Sequence, residues 1–453
     1  MSTAERAGSP GAGDGTSTGA RPAAGEGEGE GDTPDGKGAT AAASAGVDHR
    51  AARLPDPPFT AEHEELRGSI RRWVETELQP HVQEWEDAEW VPSSVFRRAG
   101  ELGFLGLAYP AELGGQGGGP IHEAVLQQEL ARSGSAGLAA ALGAPITIAT
   151  PPILKFGTPE QQVRWVPPVL AGEKVAALAI TEPGTGSDVA GVQTTARKVD
   201  GGFVVTGEKC YITGGVRADH LVAAVKTKDA DPPARHGGIS FLVIERPPAP
   251  EGSEDDPAAL GADRGDGITA RPLQKLGWHA SDTALISLQD VFVPDDHLLG
   301  ELHGAFKLIM SNFAWERISM ALGAVAGMEA VLETTKAYVA QRRAFGRRIA
   351  DFQGTRWALA EMGTKAEACR ALTFAALRKH ELGVVTPMEV AQVKLLTQRA
   401  MVEVADGCLQ LHGGAGYMKE YGIERALRDA RLGPIGGGTD EIMKDVIGRL
   451  MGV

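Results

Sequence analysis

The stretch Val175-Ala176-Ala177-Leu178-Ala179-Ile180-Thr181-Glu182-Pro183-Gly184-Thr185-Gly186-Ser187-Asp188 is where the chain changes character. Before it, from Phe59 to about Gly172, apolar residues recur at helical spacing; from Val175 the period becomes two. The apolar run ends in Thr181-Glu182, and Pro183, Gly184 and Gly186 then forbid a regular element. A loop of this kind exposes backbone N–H groups and the small hydroxyls of Thr181 and Ser187. Those groups suit a flat polar ring or a phosphate chain, and they equally make an ordinary surface loop.

Upstream, Thr60 can cap a helix with Glu64 nearby, and Leu66, Ile70, Trp73 and Val74 follow at helical spacing. The glycines of Gly114–Pro120 break the pattern. Small residues crowd Gly137–Pro145, so another helix or a ligand can come close there. Downstream, Val192–Val199, the pair Asp200-Gly201 and Phe203–Lys209 read as a β-hairpin. Further strands are expected at Leu221–Lys226, Ile239–Glu245, Ile268–Pro272 and Ala284–Val293. The Pro/Gly/acid-rich stretch Pro247–Asp266 reads as a long exposed loop without a functional signal. From Gly304 to the end the pattern is helical again. Helix, sheet, helix is an α+β order, mostly α. The expected parts are a low-complexity tail (1–55), an N-terminal helical domain (56–172), a middle antiparallel β domain (173–300) and a C-terminal helical domain (301–453).

The tail is Gly, Ala, Ser, Thr and acid with little to bury, which predicts disorder. Cys210, Cys369 and Cys408 show no metal spacing, as expected of a reduced, cytoplasmic protein. No export segment and no apolar run of membrane-spanning length is expected, hence no membrane insertion. A net charge of −14 argues against nucleic acid as a partner. No GxGxxG follows a strand and opens a helix, so a Rossmann nucleotide site is not supported; zinc and Ser-His-Asp patterns are missing too.

The Thr181–Asp188 loop resembles the first signature of the acyl-CoA dehydrogenase family. Four more stretches resemble that family in the same order. They are Lys209-Cys210-Tyr211-Ile212-Thr213-Gly214-Gly215, then Gln341–Arg348 with Gln353, then Gln410–Glu420 followed by Arg425 and Asp429, and Gly438-Thr439-Asp440-Glu441-Ile442. The resemblance covers roughly residues 58–453. It implies the family's three-part fold, closed by a C-terminal four-helix bundle, and a fatty-acid β-oxidation flavoprotein with FAD as cofactor. It also implies an acyl-CoA substrate, an electron-transferring flavoprotein as acceptor, and a homo-oligomer, most simply a tetramer.

The cofactor contacts carried over are Thr181, Ser187, Tyr211, Thr213, Arg342, Phe345, Gln353, Gln410, Gly413, Gly414, Thr439 and Glu441. Tyr211, where the family usually has Trp, can cover a flavin face. Thr213 lies two residues on and so is expected on the same strand face. Arg342 can hold a pyrophosphate by paired hydrogen bonds, in the family that of a neighbouring subunit's flavin. His412 is expected to be packed or capping, since the family needs no proton shuttle there.

The reaction so implied removes hydrogen from Cα and Cβ of a thioester and needs a carboxylate base. Many family members carry it in a Tyr-Glu-Gly-Thr run; here that run is Gly436-Gly437-Gly438-Thr439, and Gly437 has no carboxylate. The isovaleryl-CoA and long-chain branch places the base on an earlier helix, in a Glu-Arg pair, which Glu316-Arg317 matches. Phe313 and Met320, at i−3 and i+4, would desolvate Glu316 and raise its pKa. Arg317 would point to the CoA side or to a structural carboxylate. Ser187, Arg317, Gly436 and Gly437 are the expected substrate contacts, and a glutamate introduced at 437 would restore some activity to a chain lacking Glu316. Gly436 and Gly143 both suggest a roomy pocket for medium, long or 3-methyl-branched acyl groups. Three alternatives stay open: a flavin oxidase or hydroxylase on this fold, a carrier-protein-bound acyl substrate, and a non-catalytic FAD-binding assembly protein.

Overall fold

The computed structural model describes residues 58–227 and 238–453; the low-complexity tail lies outside them. The helix Ala61–Trp73 opens at Thr60. Its capping partner is His63, not Glu64: the Thr60 N–H donates to His63 Nδ1 at 3.1 Å. Ile70, Trp73 and Val74 are buried and Leu66 packs against them. One helical stretch, Ala136–Phe156, is long and apolar enough to cross a membrane by length and composition, which the sequence reading had not expected. It is 67% buried in protein and contributes Leu138, Leu142, Ile146 and Ile153 to the core. The small residues of this stretch do admit a neighbour: a Cβ on Gly137 would lie 2.8 Å from the Trp278 backbone.

Eight strands make the central sheet: β1 Ala176–Ala179, β2 Thr195–Val199, β3 Gly202–Thr213, β4 His220–Lys226, β5 Ile239–Glu245, β6 Ile268–Pro272, β7 Thr283–Pro294 and β8 Leu298–Leu299. The order is β6-β7-β3-β2-β4-β5-β8, with β1 beside β4. The β2–β3 hairpin closes on Asp200-Gly201 as its sequence predicts, with Val199 opposite Gly202 and Gly201 at φ +76°. The sheet is not purely antiparallel, because β1 and the first residue of β2 both run parallel to β4. β4 is buried on both faces and so reads as a continuous apolar run. Val222 and Ala224 face the helical core, while Leu221, Ala223 and Val225 face a second core within the sheet.

The Pro247–Asp266 stretch is mostly exposed, as its composition predicts, but it is not all loop. It forms a short helix, Pro257–Gly261, capped by Asp256, with Leu260 buried. The reason is polar. The Arg246 guanidinium donates to the carbonyls of Leu260, Ala262 and Ile268, and Asp255 accepts the Trp90 indole N–H at 3.0 Å. The last third is helical: Ala305–Gln341, Gln353–Glu381 and Pro387–His412 pack on one another, and Asp440–Met451 packs on the third.

Candidate active site

Glu316 sits in the 37-residue helix Ala305–Gln341. The loop Gly436–Thr439, just before the last helix, passes over its turn. Gly437 has φ +63°, and a Cβ there would lie 3.5 Å from Glu316 Oε1 and 2.6 Å from Met320 Sδ. Two cations hold that loop by its carbonyls: Arg317 Nε donates to Gly437 O at 3.0 Å, and Lys394 Nζ to Gly438 O at 2.6 Å. Thr439 caps the helix Asp440–Met451, and Glu441 is exposed in its first turn. Burial pushes the Glu316 carboxyl up to about 7, against the opposing pull of Arg317 and Lys394. A carboxyl so placed is half ionised near neutrality, which suits a general base.

Three expectations meet the structure here. Arg317 is expected at the CoA side or on a structural carboxylate; within the chain its hydrogen bond goes to the Gly437 carbonyl and its guanidinium lies over the Phe313 ring at 5.2 Å. A glutamate at 437 would be strained by the positive φ and must push Met320 aside, so the gain expected from it is offset. The space at Gly143 is not empty: the Gln127 amide lies 3.1 Å from where a Cβ would stand. A Cβ on Gly436 would meet no close contact, its nearest neighbour being Leu432 at 3.8 Å.

The Thr181–Ser187 loop is tied to the strand carrying Tyr211. The Cys210 N–H donates to Thr181 O at 2.8 Å, and Glu182 and Thr185 exchange two backbone bonds of 3.0 Å. Beneath it lies a residue that sequence reasoning missed. Lys209 is fully buried, donating to Ile180 O, Glu182 Oε1 and Ala224 O. Burial lowers its pKa to about 8, opposed by Glu182. Burial would raise the Glu182 carboxyl, but Lys209 and the N–H groups of Gln193 and Thr194 leave it lowered. The only sequence signal was a lysine at an otherwise buried strand position.

Tyr211 and Thr213 both lie on the open side of β3 with Ile212 buried between them. Simple alternation does not put them there. A bulge between Lys209 and Ile212 inserts one residue, and Tyr211 takes φ +61° with 68% of its surface exposed. A non-glycine residue held so is strained, and such strain gathers at functional sites. Ser187 is exposed beside Gly184 and Gly186, whose added Cβ atoms would meet nothing.

The remaining residues gather elsewhere. Arg342 ends the Glu316 helix, 26 residues beyond Glu316, roughly 39 Å along its axis. Phe345-Gly346 form the two-residue turn of a small hairpin, both with positive φ, and Phe345 is 95% exposed. Gln353 begins the next helix, exposed. Gly413 ends the Pro387–His412 helix, its N–H donating to the carbonyl of exposed Gln410, and Gly413 and Gly414 open onto free space. His412 is packed: its ring stacks on Tyr338 at 4.2 Å and its Nδ1 meets Cys408 O at 2.8 Å. The structure thus brings together Glu316, Arg317, Gly436, Gly437 and Thr439, and separately Thr181, Ser187, Tyr211 and Thr213. It leaves Arg342 at the opposite end of the long helix from Glu316. Among the described residues no cluster could hold a metal ion.

Three family models match in order: "Acyl-CoA dehydrogenase, N-terminal domain" over residues 60–173, "Acyl-CoA dehydrogenase, middle domain" over 177–291 and "Acyl-CoA dehydrogenase, C-terminal domain" over 304–452. The chain is 37% identical over 392 residues to the long-chain specific acyl-CoA dehydrogenase of Mus musculus, covering 86% of each. It is 34% identical over 394 residues to the isovaleryl-CoA dehydrogenase of Oryza sativa subsp. japonica, covering 86% of this chain and 91% of that protein. A solved glutaryl-CoA dehydrogenase from Mycobacterium smegmatis, in complex with FADH2, superposes with TM-score 0.78 at 25% identity, covering 87% of this chain and 95% of that one.

Proposed function

This chain belongs to the acyl-CoA dehydrogenase family, and on that premise we propose that it oxidises a saturated acyl-CoA to the trans-2-enoyl-CoA with Glu316 as the base. One observation carries this reading: Gly437 is the position where many relatives are expected to hold their carboxylate, and a side chain begun there would place its Cβ 3.5 Å from Glu316 Oε1. A carboxylate from either backbone therefore serves the same space.

Glu316 takes the proton from Cα, and burial keeps it a stronger base than an exposed glutamate. Arg317 and Lys394 keep the Gly437 loop over the carboxylate. The Gly437 N–H makes none of the loop hydrogen bonds among the described residues, so it is available to polarise a thioester oxygen.

The open glycine faces and the exposed, strained Tyr211 fit a large flat cofactor with a phosphate chain, and the cofactor we infer is FAD. Thr181, Ser187, Tyr211 and Thr213 would hold its ring, with Thr439 and Glu441 beside the base. Arg342, Phe345, Gln353, Gln410, Gly413 and Gly414 would hold the phosphates and adenosine of a second copy's cofactor, because the length of one helix separates Arg342 from the chain's own Glu316. Bound FAD supplies the acceptor for the hydride leaving Cβ. A homotetramer in the cytoplasm, passing electrons to an electron-transferring flavoprotein, completes the reading. The missing side chain at Gly436, with nothing nearer than Leu432 at 3.8 Å, supports medium, long or 3-methyl-branched acyl groups, while Gln127 limits the room at Gly143.

Glu316→Gln tests the assignment. Flavin bleaching by acyl-CoA without oxygen should slow by at least about 10³ with flavin content unchanged. Near-normal bleaching would remove Glu316 from the chemistry.

A further inference from the structure

A second buried carboxyl, one residue's reach from the base, has no part in the function above. Glu123 lies in the helix Pro120–Ala131 and is 6% exposed. Its Oε1 accepts the Trp315 indole N–H at 2.9 Å and the Thr147 hydroxyl at 2.8 Å. The Thr147 oxygen in turn accepts from the Gln127 amide at 2.9 Å. The other side of Trp315 is also fixed, its ring stacking on His380 at 5.0 Å and 15°. One turn earlier, Asn312 Nδ2 donates to Ile148 O at 3.0 Å.

Trp315 directly precedes Glu316 on a regular helix. Successive side chains on a helix are about 100° apart, so whatever fixes Trp315 fixes the direction of Glu316. Trp315 is fixed by one charge-capable acceptor and one stacked ring. Breaking the indole bond leaves a polar group without a partner inside the protein, which costs about 1–3 kcal/mol. The helix turn cannot rotate or slide without that loss. The Glu316 face of the same turn is enclosed on its far side by Met320 and Gly437.

We propose that Glu123 is a positioning residue for the base: by holding the Trp315 indole it sets the rotation and depth at which Glu316 is presented. This rests on Glu316 being the base. The groups facing Glu123 are Tyr109, Thr147 and Trp315; beyond Trp315 stand His380 and, next to it, Lys155. Burial pushes Glu123 up to about 7, with the Trp315 and Thr147 bonds opposing. Its ionised form is the stronger acceptor, so the hold tightens as pH rises through neutrality.

Three variants test this by the pH profile of kcat/KM and by kcat and KM separately. Glu123→Ala removes the acceptor. Trp315→Phe removes the donor but keeps a ring for His380. Glu123→Gln keeps an oxygen that can accept. With the hold lost, Glu316 becomes better hydrated, and the acidic limb of the profile should move down by about one pH unit. Misplacement should lower kcat about tenfold with KM within about threefold. Glu123→Gln should keep both limb and kcat within about threefold of the unaltered enzyme.

An unmoved limb in Trp315→Phe overturns the proposal, as does a Glu123→Gln enzyme that behaves like Glu123→Ala. Where Glu123→Ala does not fold, Trp315→Phe decides alone. Glu316→Gln in the same assay keeps the two questions apart: if it stays active, the base assignment fails first; if it is dead while the limb of Trp315→Phe is unmoved, only the positioning role fails.

Discussion

The two ends of the Ala305–Gln341 helix are built on opposite terms. Near its start, Glu316 is half-buried against Met320 and the Gly437 loop, its carboxyl is pushed to about 7, and its neighbours Trp315 and Arg317 are each bonded to another part of the chain. At its end, Arg342 leads into a hairpin whose Phe345 is almost wholly exposed, and the nearby glycines 413 and 414 face open space. One end is finished within the chain; the other presents strained, exposed groups that none of the described residues covers. Stored backbone strain at an exposed aromatic persists only where something is gained from it. On the function proposed above, chemistry that needs an exact pKa is kept inside one chain, and binding of a phosphate chain is left to a surface that a second copy can use.

The sharpest way to break this contrast is to remove the group each end depends on. Glu316→Gln should cost at least about 10³ in rate, about 4 kcal/mol of barrier, and leave flavin content unchanged. A variant that loses flavin as well as rate would show that the two ends are not separable.

Next in size is the pin under the signature loop. Lys209→Met leaves Glu182 buried with its charge partner gone. Removing one partner of a buried pair costs about 3–5 kcal/mol. Chemical denaturation should show a loss of about that size, with Glu182→Gln in the same chain recovering part of it. A loss below about 1 kcal/mol would mean the pair holds nothing in place.

The raised pKa of Glu316 also has a cost that can be read without substrate. Between its ordinary value of 4.5 and about 7 the folded chain holds a proton that the unfolded chain has released. Stability is therefore lost as pH rises through that window, on the order of 3 kcal/mol for a shift of this size. Glu123 adds a loss of the same sign. Glu316→Gln should lose less stability than the unaltered chain from pH 5 to 8, although it loses activity. An equal loss of unfolding free energy from pH 5 to 8 in the two chains, read from urea titrations, would show that the Glu316 carboxyl is not desolvated as described above.

Much of this was readable in the residues, and the exceptions share a cause. The change of period at Val175, the Asp200-Gly201 hairpin and the empty position at Gly437 are local, and a chain records local preferences directly. Lys209 and Glu182 are 27 residues apart, so their pairing is a tertiary fact that no periodicity carries. Spacing put Tyr211 and Thr213 on one face of the strand, but the bulge that turns that face outward had no glycine to announce it. Composition read Pro247–Asp266 as exposed, which holds for most of it, but gave no sign of its short helix, whose anchoring rests on Arg246 and Asp255 finding partners, not on apolar residues. Gln127 filling the space beside Gly143 was equally invisible, since loss of a side chain at one position says nothing of which neighbour moves in.

The smallest effect probes the exposed end itself. Arg342→Ala removes a charge-assisted contact to a phosphate, worth about 1.5–3 kcal/mol, so FAD affinity should fall by about ten- to a hundredfold with Glu316 untouched. Activity at limiting FAD should fall in step and return as FAD is added. Because Arg342 stands roughly 39 Å of helix from the Glu316 of its own chain, the two should serve one cofactor only across copies. Chains carrying Arg342→Ala, unfolded and refolded together with chains carrying Glu316→Gln, should then regain activity at limiting FAD. Sites that draw Glu316 from one parent and Arg342 from the other are about a quarter of the total in a random mixture of symmetric oligomers. A mixture no more active than the sum of its parents would place Arg342 and Glu316 on the same cofactor from the same chain, or on none, and the division of labour between the two ends of the helix would have to be given up.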